Sequence, residues 1–428
     1  MLFKNITILD DQFKIRENMY VGIVEDKITY ISNECPSEDF GTEYDGKGRL
    51  LMPGFVNTHA HSPMSLLRGY GENMALQDWL NKRIFPFEDK LTGEAVYWGT
   101  LLAMAESIRY GIVSTTDMYY FAEDMIRAIE ESGTKNNLSR SVTCFSDADL
   151  WELESAKEMK DIYKRFHNHA DGKIKVDMSI HAEYTSNPKI VKQMADYTKE
   201  IGANMHVHLS ETQLEHEECK QRHGKTPAAY FDSLGLFDTP TTAAHCVWLE
   251  PEDYPILKEK GVTVACNTIS NMKLASGICN VPELYKHGIN GALGTDSVAS
   301  NNSLNFIEEM KMFAMASKVK LLDPTAVTPV QAIQAATVSG AKAQGREDCG
   351  VIKEGNKADL VVLDISGPNM HPVHDLTNNI VYSASGSDVV MTICDGRVLY
   401  ENGEYKTIDI EKTLFEAGRM TKSILAQL

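Results

Sequence analysis

Two histidines separated by one residue are the first candidates for chemistry in this sequence. His59 and His61 follow the apolar pair Phe55-Val56, which predicts that they lie at the end of a β-strand. Side chains two residues apart in a strand point to the same face, so the two imidazoles converge. Converging imidazoles are typical of a transition-metal site, although the H-x-H pair alone is a weak signal.

Three further groups of polar residues also follow apolar runs. The segment 206–211 (HVHLSE) lies at a predicted strand end, His245 ends the run 241–245, and Asp296 follows the last predicted strand. In a parallel barrel the carboxyl ends of all strands meet on one face, where active sites are built. Because four strand ends carry such residues, we predict a metal centre on that face.

The elements that must position these side chains alternate along the middle of the chain. Helices are predicted at 95–110, 122–132, 188–199 and 251–260. Strands are predicted at 51–57, 112–117, 140–145, 175–180, 204–209, 241–245, 262–267 and 291–294. Eight strands alternating with helices predict an α/β fold, the parallel (β/α)8 TIM barrel.

Both chain ends contain short apolar strands separated by turns, and neither end has enough apolar residues for a core of its own. We therefore predict one small β-sandwich built from both ends. The expected division is 1–52 for the first part of the sandwich, 53–350 for the catalytic barrel, and 351–428 for the rest of the sandwich plus a terminal helix.

Composition excludes several classes of partner. The net charge of −18 disfavours nucleic acid, which requires clustered Lys and Arg. The sequence lacks the ~18 uninterrupted apolar residues of a membrane helix, and its start shows no signal-peptide pattern. The eight cysteines are scattered without a C-x-x-C pair, which predicts reduced thiols. We expect a cytoplasmic homo-oligomer that acts on a small molecule.

Other histidine motifs fit catalysis less well. His181-Ala182-Glu183 matches the H-x-E half of the small zinc deaminases, but the P-C-x-x-C half is missing. His181 is therefore predicted to be a residue of the pocket at the end of the fourth strand. A further group lies in polar helical stretches and is predicted to be solvated: His167, His169, His216 and His223.

Several segments of this chain resemble the amidohydrolase superfamily. They are 53–61, 62–69, 77–80, 243–246 and 293–302, which read PGFVNTHAH, SPMSLLRG, QDWL, AAHC and LGTDSVASNN. They are most similar to the 5-methylthioadenosine/S-adenosylhomocysteine deaminase branch, with guanine deaminases and triazine chlorohydrolases as more distant relatives. The resemblance covers nearly the whole chain.

The resemblance implies one divalent metal per chain, with four ligands: His59, His61, His208 and Asp296. Other superfamily members bridge two metals with a carbamylated lysine at the end of strand four, where this chain has Ile180-His181. Zinc suits three imidazoles and one carboxylate, with iron or manganese as alternatives.

The resemblance also implies the reaction, hydrolytic deamination of an adenosine-type nucleoside such as 5′-methylthioadenosine or adenosine, with S-adenosylhomocysteine as a further candidate. Metal-bound hydroxide would attack purine C6 and release ammonia. The implied catalytic residues are Glu211, His245 and Asp296. The implied substrate-binding residues are Trp79, Glu88, Arg140, His181 and Glu211.

The branch uses two arginines for the amino-acid carboxylate of the larger substrate. Arg140 matches one of them, and the stretch 146–151, which contains Asp147 and Asp149, shows no second. Two alternatives stay open: a related amidohydrolase that acts on guanine, a pterin or a triazine, and a non-catalytic scaffold. A scaffold would have lost metal ligands, whereas this chain has all four.

Overall fold

The computed structural model describes residues 1–74 and 76–428. The strands are β1 Leu2–Leu9, β2 Ile15–Val24, β3 Lys27–Ser32, β4 Glu43–Asp45, β5 Arg49–Pro53, β6 Phe55–Ala60, β7 Ile112–Met118, β8 Lys135–Ser139, β9 Ile174–Val176, β10 Met178–Ser179, β11 Met205–Leu209, β12 Thr241–His245, β13 Thr263–Cys266, β14 Asn290–Leu293, β15 Leu360–Asp364, β16 Val389–Cys394, β17 Arg397–Glu401 and β18 Glu404–Tyr405. The helices are α1 Leu76–Trp79, α2 Phe85–Glu88, α3 Gly93–Arg109, α4 Ala122–Ser132, α5 Glu154–Phe166, α6 His169–Gly172, α7 Pro188–Ile201, α8 Gln213–His223, α9 Pro227–Ser233, α10 Asp253–Glu259, α11 Thr268–Lys273, α12 Val281–Lys286, α13 Phe306–Leu321, α14 Pro329–Ala336, α15 Val338–Ala343, α16 Leu376–Tyr382 and α17 Ile410–Leu425.

The middle of the chain forms two parallel sheets, which confirms the predicted α/β class. One sheet has the order β6-β7-β8-β9 and the other β10-β11-β12-β13-β14. Asp177 separates β9 from β10. The edges formed by β6 and β14 also meet, since the Thr58 hydroxyl donates to the Leu293 carbonyl at 2.7 Å. The strand ends that carry the candidate residues therefore lie on the same side of the structure.

The predicted third strand, 140–145, is wrong. The strand is β8, Lys135–Ser139, and its sequence KNNLS is too polar to be recognised by apolar periodicity. These polar side chains are buried because they have partners inside the protein, such as the Asn137 amide that donates to both Asp177 carboxylate oxygens at 3.1 Å. Arg140 consequently follows a strand end instead of opening a strand.

The predicted first strand, 51–57, is two strands that belong to different sheets. β5 pairs antiparallel with β15, and β6 pairs parallel with β7. Gly54 separates them, and a Cβ added there would lie 2.6 Å from Val113. The close approach of the two layers at this point explains why the position requires glycine.

Strands from both chain ends form a single nine-stranded sheet, with the order β18-β17-β16-β15-β5-β1-β2-β3 and with β4 paired to β1. It has its own apolar cluster, to which both ends contribute, for example Phe3, Ile8, Val21, Leu360 and Ile393. The shared sheet and core explain why neither end needs enough apolar residues for a separate core. None of the described helices is long and apolar enough to cross a membrane.

A buried lysine joins the parallel sheets to the terminal sheet. Lys135 begins β8, and its Nζ lies 2.5 Å from Asp359 Oδ2 and 2.7 Å from Asp395 Oδ1. All three side chains are buried. Burial alone would lower the pKa of Lys135, but the combined attraction of its neighbours, Asp359 first and Asp395 among them, raises it on balance, so the ammonium stays charged.

Replacing Lys135 with methionine should lower the free energy of unfolding by about 3–5 kcal/mol, because the buried Asp359 carboxylate loses its ion-pair partner and Asp395 loses the nearest of its three. The matched control is Lys4→Met, which breaks an exposed pair with Glu43 and should cost at most about 1 kcal/mol. Urea and thermal unfolding midpoints measure both changes. Equal shifts in the two variants would show that Lys135 does not join the layers.

Candidate active site

The predicted metal ligands meet at the carboxyl ends of β6, β11 and β14. His208 Nε2 lies 3.4 Å from His61 Nε2, and His61 Nε2 lies 3.3 Å from Asp296 Oδ1. His59 Nε2 is 3.6 Å from the same oxygen. Four ligand-type atoms from three separate strands thus converge on one point.

Backbone carbonyls fix the orientation of two of these imidazoles. His61 Nδ1 donates to the Met118 carbonyl at 2.7 Å, and His208 Nδ1 donates to the His181 carbonyl at 2.7 Å. Because a carbonyl only accepts, each Nδ1 carries a proton, and in the neutral ring, the form that binds a metal, each Nε2 presents a lone pair. Two such lone pairs 3.4 Å apart repel each other unless a cation lies between them.

His59 is held by a histidine to which the sequence analysis assigned no role. Its Nδ1 lies 2.9 Å from His206 Nε2, and its own Nε2 is buried without a hydrogen-bond partner among the described residues. Burial lowers the pKa of His59 to about 3, so the ring is neutral near pH 7. A buried neutral imidazole with a free nitrogen is the form that a metal binds.

Asp296 completes the donor set. Its Oδ2 accepts hydrogen bonds from the hydroxyls of Ser270 at 2.5 Å and Ser300 at 3.0 Å, which leaves Oδ1 facing the histidines. Three imidazole nitrogens and one carboxylate oxygen fit a divalent cation such as zinc, and each has an outer hydrogen-bond partner.

An acid–base pair lies beside this donor set. Glu211 Oε2 is 3.8 Å from His245 Nε2, and both side chains are buried. His245 Nδ1 lies 2.8 Å from Asn271 Oδ1, which fixes the ring. Burial raises the pKa of Glu211, which favours the protonated carboxyl.

The predicted substrate-binding residues all line one cleft above these groups. The cleft together with the open solvent at its mouth encloses about 760 Å³. Its wall includes all five predicted residues: Trp79, Glu88, Arg140, His181 and Glu211. The rest of the wall is mostly apolar or aromatic and includes Met64, Leu76, Leu80, Ile84, Phe85, Met118, Tyr119, Tyr120, Tyr184 and Leu274. Such a lining suits a flat aromatic ring.

Two polar residues at the cleft have partners that the sequence analysis missed. The Tyr119 hydroxyl donates to Glu88 Oε1 at 2.6 Å, and burial raises the pKa of Glu88 to about 7. The Arg140 guanidinium lies 4.6 Å over the Tyr120 ring, and its Nε donates to Glu158 Oε2 at 3.1 Å. Both tyrosines directly follow β7, so the rule that identified the histidines at strand ends would have found them.

The acidic residues of the stretch 146–151 and one further prediction, that of a solvated His216, can be compared with the structure. The carboxylates of Asp147 and Asp149 do not line the cleft, and Asp149 pairs with Lys189 at 2.8 Å. His216, predicted to be solvated, is buried, with its Nδ1 3.2 Å from the Ser210 hydroxyl. The polar sequence of α8 predicts exposed side chains, whereas His216 turns towards the loop that carries Glu211 and is buried there.

Comparison with known proteins places the chain in a family. The model of the amidohydrolase family matches residues 50–399. The chain belongs to the amidohydrolase family.

Relatives and solved structures resemble this amidohydrolase over their whole length. A 5-methylthioadenosine/S-adenosylhomocysteine deaminase of Thermoanaerobacter pseudethanolicus is 41% identical over 99% of both chains. A 5′-deoxyadenosine deaminase of Methanosarcina mazei is 40% identical over 95% of this chain and 94% of the relative. The crystal structure of an adenosine deaminase from Xanthomonas campestris with bound zinc has a TM-score of 0.93 and 28% identity, and covers 99% of this chain and 98% of its own.

The amidohydrolase should hold about one divalent metal ion per chain. His208→Ala should lose most of it, because the three remaining donors bind the ion more weakly than all four do. The matched control is His169→Ala, which removes an exposed imidazole that pairs with Glu130 and should keep its metal. Elemental analysis after extensive dialysis measures both. A fully loaded His208→Ala protein would contradict the ligand assignment.

Proposed function

We propose that this amidohydrolase is a metal-dependent hydrolytic deaminase of adenosine-type nucleosides, with 5′-methylthioadenosine, 5′-deoxyadenosine and adenosine as substrates. The observation that carries the proposal is the convergence of three imidazole nitrogens and the Asp296 oxygen at the floor of an aromatic cleft, beside the Glu211–His245 pair. The relatives named as deaminases of these nucleosides support the same substrate class.

We assign the metal to His59, His61, His208 and Asp296. The zinc in the related adenosine deaminase structure supports zinc, and iron and manganese also accept this donor set. A divalent cation there supplies a hydroxide nucleophile near neutral pH.

The chain's own residues would move the protons of the reaction. Asp296 accepts the proton of the attacking water, and His245 Nε2 orients that water toward C6. Glu211, whose pKa burial raises, donates its proton to purine N1 as the tetrahedral carbon forms. The amino group then takes the proton held by Asp296 and leaves as ammonia, while the hydroxyl proton of the tetrahedral carbon passes to the Glu211 carboxylate as the C6 carbonyl forms. Both carboxyl groups thereby return to their starting states, and one water is consumed for each ammonia released.

The outer part of the cleft would hold the sugar. A Glu88 carboxylate has two acceptor oxygens, which suits a vicinal ribose diol, and Tyr119 holds one of those oxygens in place. His181 Nδ1 lies 3.0 Å from the Thr185 hydroxyl, which leaves Nε2 for the purine ring. Trp79 would cover the ring. A bare guanine, pterin or triazine would give Glu88 no partner besides Tyr119, which favours the nucleoside.

We propose the same architecture that the sequence predicts, a barrel with a β-sandwich. The two parallel sheets would close into one (β/α)8 barrel, with β9 and β10 as a single strand interrupted at Asp177, and the terminal sheet would fold into the β-sandwich. The division 1–52, 53–350 and 351–428 stays a prediction, as does a homo-oligomer. The eight free cysteines support a reducing, cytoplasmic location.

Glu211→Gln should keep the metal and lower kcat by about 10²–10⁴-fold, because the amide keeps the shape but cannot carry the proton. The matched control is Glu217→Gln, an exposed glutamate on α8 that should leave kcat unchanged. Ammonia release from 5′-methylthioadenosine measures both. Near-normal kcat in Glu211→Gln would show that another group carries the proton.

The cleft should favour 5′-methylthioadenosine and 5′-deoxyadenosine over S-adenosylhomocysteine by about 10–100-fold in kcat/KM. The larger substrate ends in an amino acid whose carboxylate needs a cation. Among the described residues that line the cleft, Arg140 is the one basic side chain other than histidine, and Glu158 offsets its charge. A higher kcat/KM for S-adenosylhomocysteine on the same preparation would refute this preference.

A further inference from the structure

The buried carboxylate of Glu215 binds the backbone of the turn that carries Glu211. Its Oε1 accepts the N–H of Ser210 at 3.0 Å, and its Oε2 accepts the N–H of Glu211 at 2.8 Å. Two adjacent amides therefore converge on one side chain. Ser210 has a φ of +49°, in the left-handed region, which turns the two N–H groups toward the same side.

This contact differs from an ordinary helix cap. Thr212 caps α8 by accepting the N–H of Glu215 at 3.1 Å. In a capping box the third-position glutamate returns to the N–H of the capping residue. Glu215 instead reaches past Thr212 to the two residues before it, so its contacts stabilise the catalytic turn more than the helix.

The burial of this carboxylate is costly. No Lys or Arg among residues 1–74 and 76–428 forms an ion pair with Glu215, and its side chain is 5% exposed. Burying an unpaired carboxylate is unfavourable unless hydrogen bonds to it compensate. The two amides of the turn provide that compensation, and they do so only while Ser210 keeps its left-handed conformation.

We infer that Glu215 is a positioning residue: by holding the Ser210 and Glu211 amides, it directs the Glu211 carboxylate toward His245 and the substrate ring. The inference rests on the proposed function, in which Glu211 carries the proton. A second contact restrains the same turn, since the buried His216 lies with Nδ1 3.2 Å from the Ser210 hydroxyl and Nε2 3.1 Å from Glu250 Oε1. Glu215 itself does not line the cleft.

Glu215→Gln keeps the size of the side chain but can accept only one of the two N–H groups. We expect kcat to fall by about 10–100-fold, since a displacement near 1 Å has that effect on a reacting group. KM and metal content should change little, because the ring-binding wall and the ligands are untouched. The matched control is Asp177→Asn, a buried carboxylate bound by Asn137 and outside the cleft, which should lose stability and keep kcat.

The decisive comparison is the double variant Glu211→Gln with Glu215→Gln. If Glu215 acts only through Glu211, the double variant has the kcat of Glu211→Gln alone. Losses that multiply would overturn the inference, as would a Glu215→Gln protein with normal kcat. If Glu215→Gln does not fold, Glu215→Asp, which keeps the charge but is too short to span both amides, serves in the same cycle. A fully active Glu211→Gln protein would show that another group carries the proton and would overturn the inference, whereas an unaltered, metal-loaded protein that releases no ammonia from 5′-methylthioadenosine would refute the proposed function.

Discussion

The mutual approach of buried acceptor atoms is the constraint on which the rest of this structure depends. The lone pairs of His61 and His208 face each other at 3.4 Å, and a carboxylate oxygen lies 3.3 Å from one of them. Such an arrangement is unfavourable in a buried site unless a cation joins the groups. The carbonyls of Met118 and His181 hold the rings in this orientation, and these carbonyls themselves lie at strand ends. The parallel sheets thus position the donors and their outer partners together.

Buried carboxylates with backbone partners hold the loops around this centre. Asp117 accepts the N–H of Ser62, after β6, at 3.0 Å. Glu309 accepts the N–H of Ile269, after β13, at 3.0 Å. Glu215 does the same for the loop after β11. In each case a buried carboxyl group accepts a backbone N–H and fixes a segment that carries or contacts a site residue, so rigidity at the strand ends comes from side chains that do not line the cleft.

The sequence predicted the parts of this arrangement that leave a local pattern. Apolar runs followed by His or Asp located the segments that contain the donor set, because a strand end is visible in a few neighbouring residues. The family resemblance then implied which residues of those segments are ligands. β8 was missed because its buried polar side chains find partners such as Asp177 and Asp359, which are distant in sequence. Hydrogen bonds between distant residues leave no periodic signal.

Sequence patterns also failed to predict most of the residues that orient the side chains of the site. His206, Asn271 and His216 have roles that depend on which side chain faces them across the fold. Tyr119 and Tyr120 could have been found, since they follow β7 directly, but aromatic residues at a strand end are as typical of a core as of a binding site. The family resemblance implied which residues act on the substrate and gave no information on the residues that hold them.

The central claim is that the imidazoles of His59, His61 and His208 hold the metal together with Asp296. X-ray absorption at the zinc edge of the zinc-loaded protein tests this claim most directly. The account predicts a first shell of nitrogen and oxygen alone at about 2.0–2.1 Å, with an imidazole scattering pattern from three histidines. A sulfur ligand at about 2.3 Å would place the metal on one of the cysteines instead. A spectrum without imidazole would contradict the account outright.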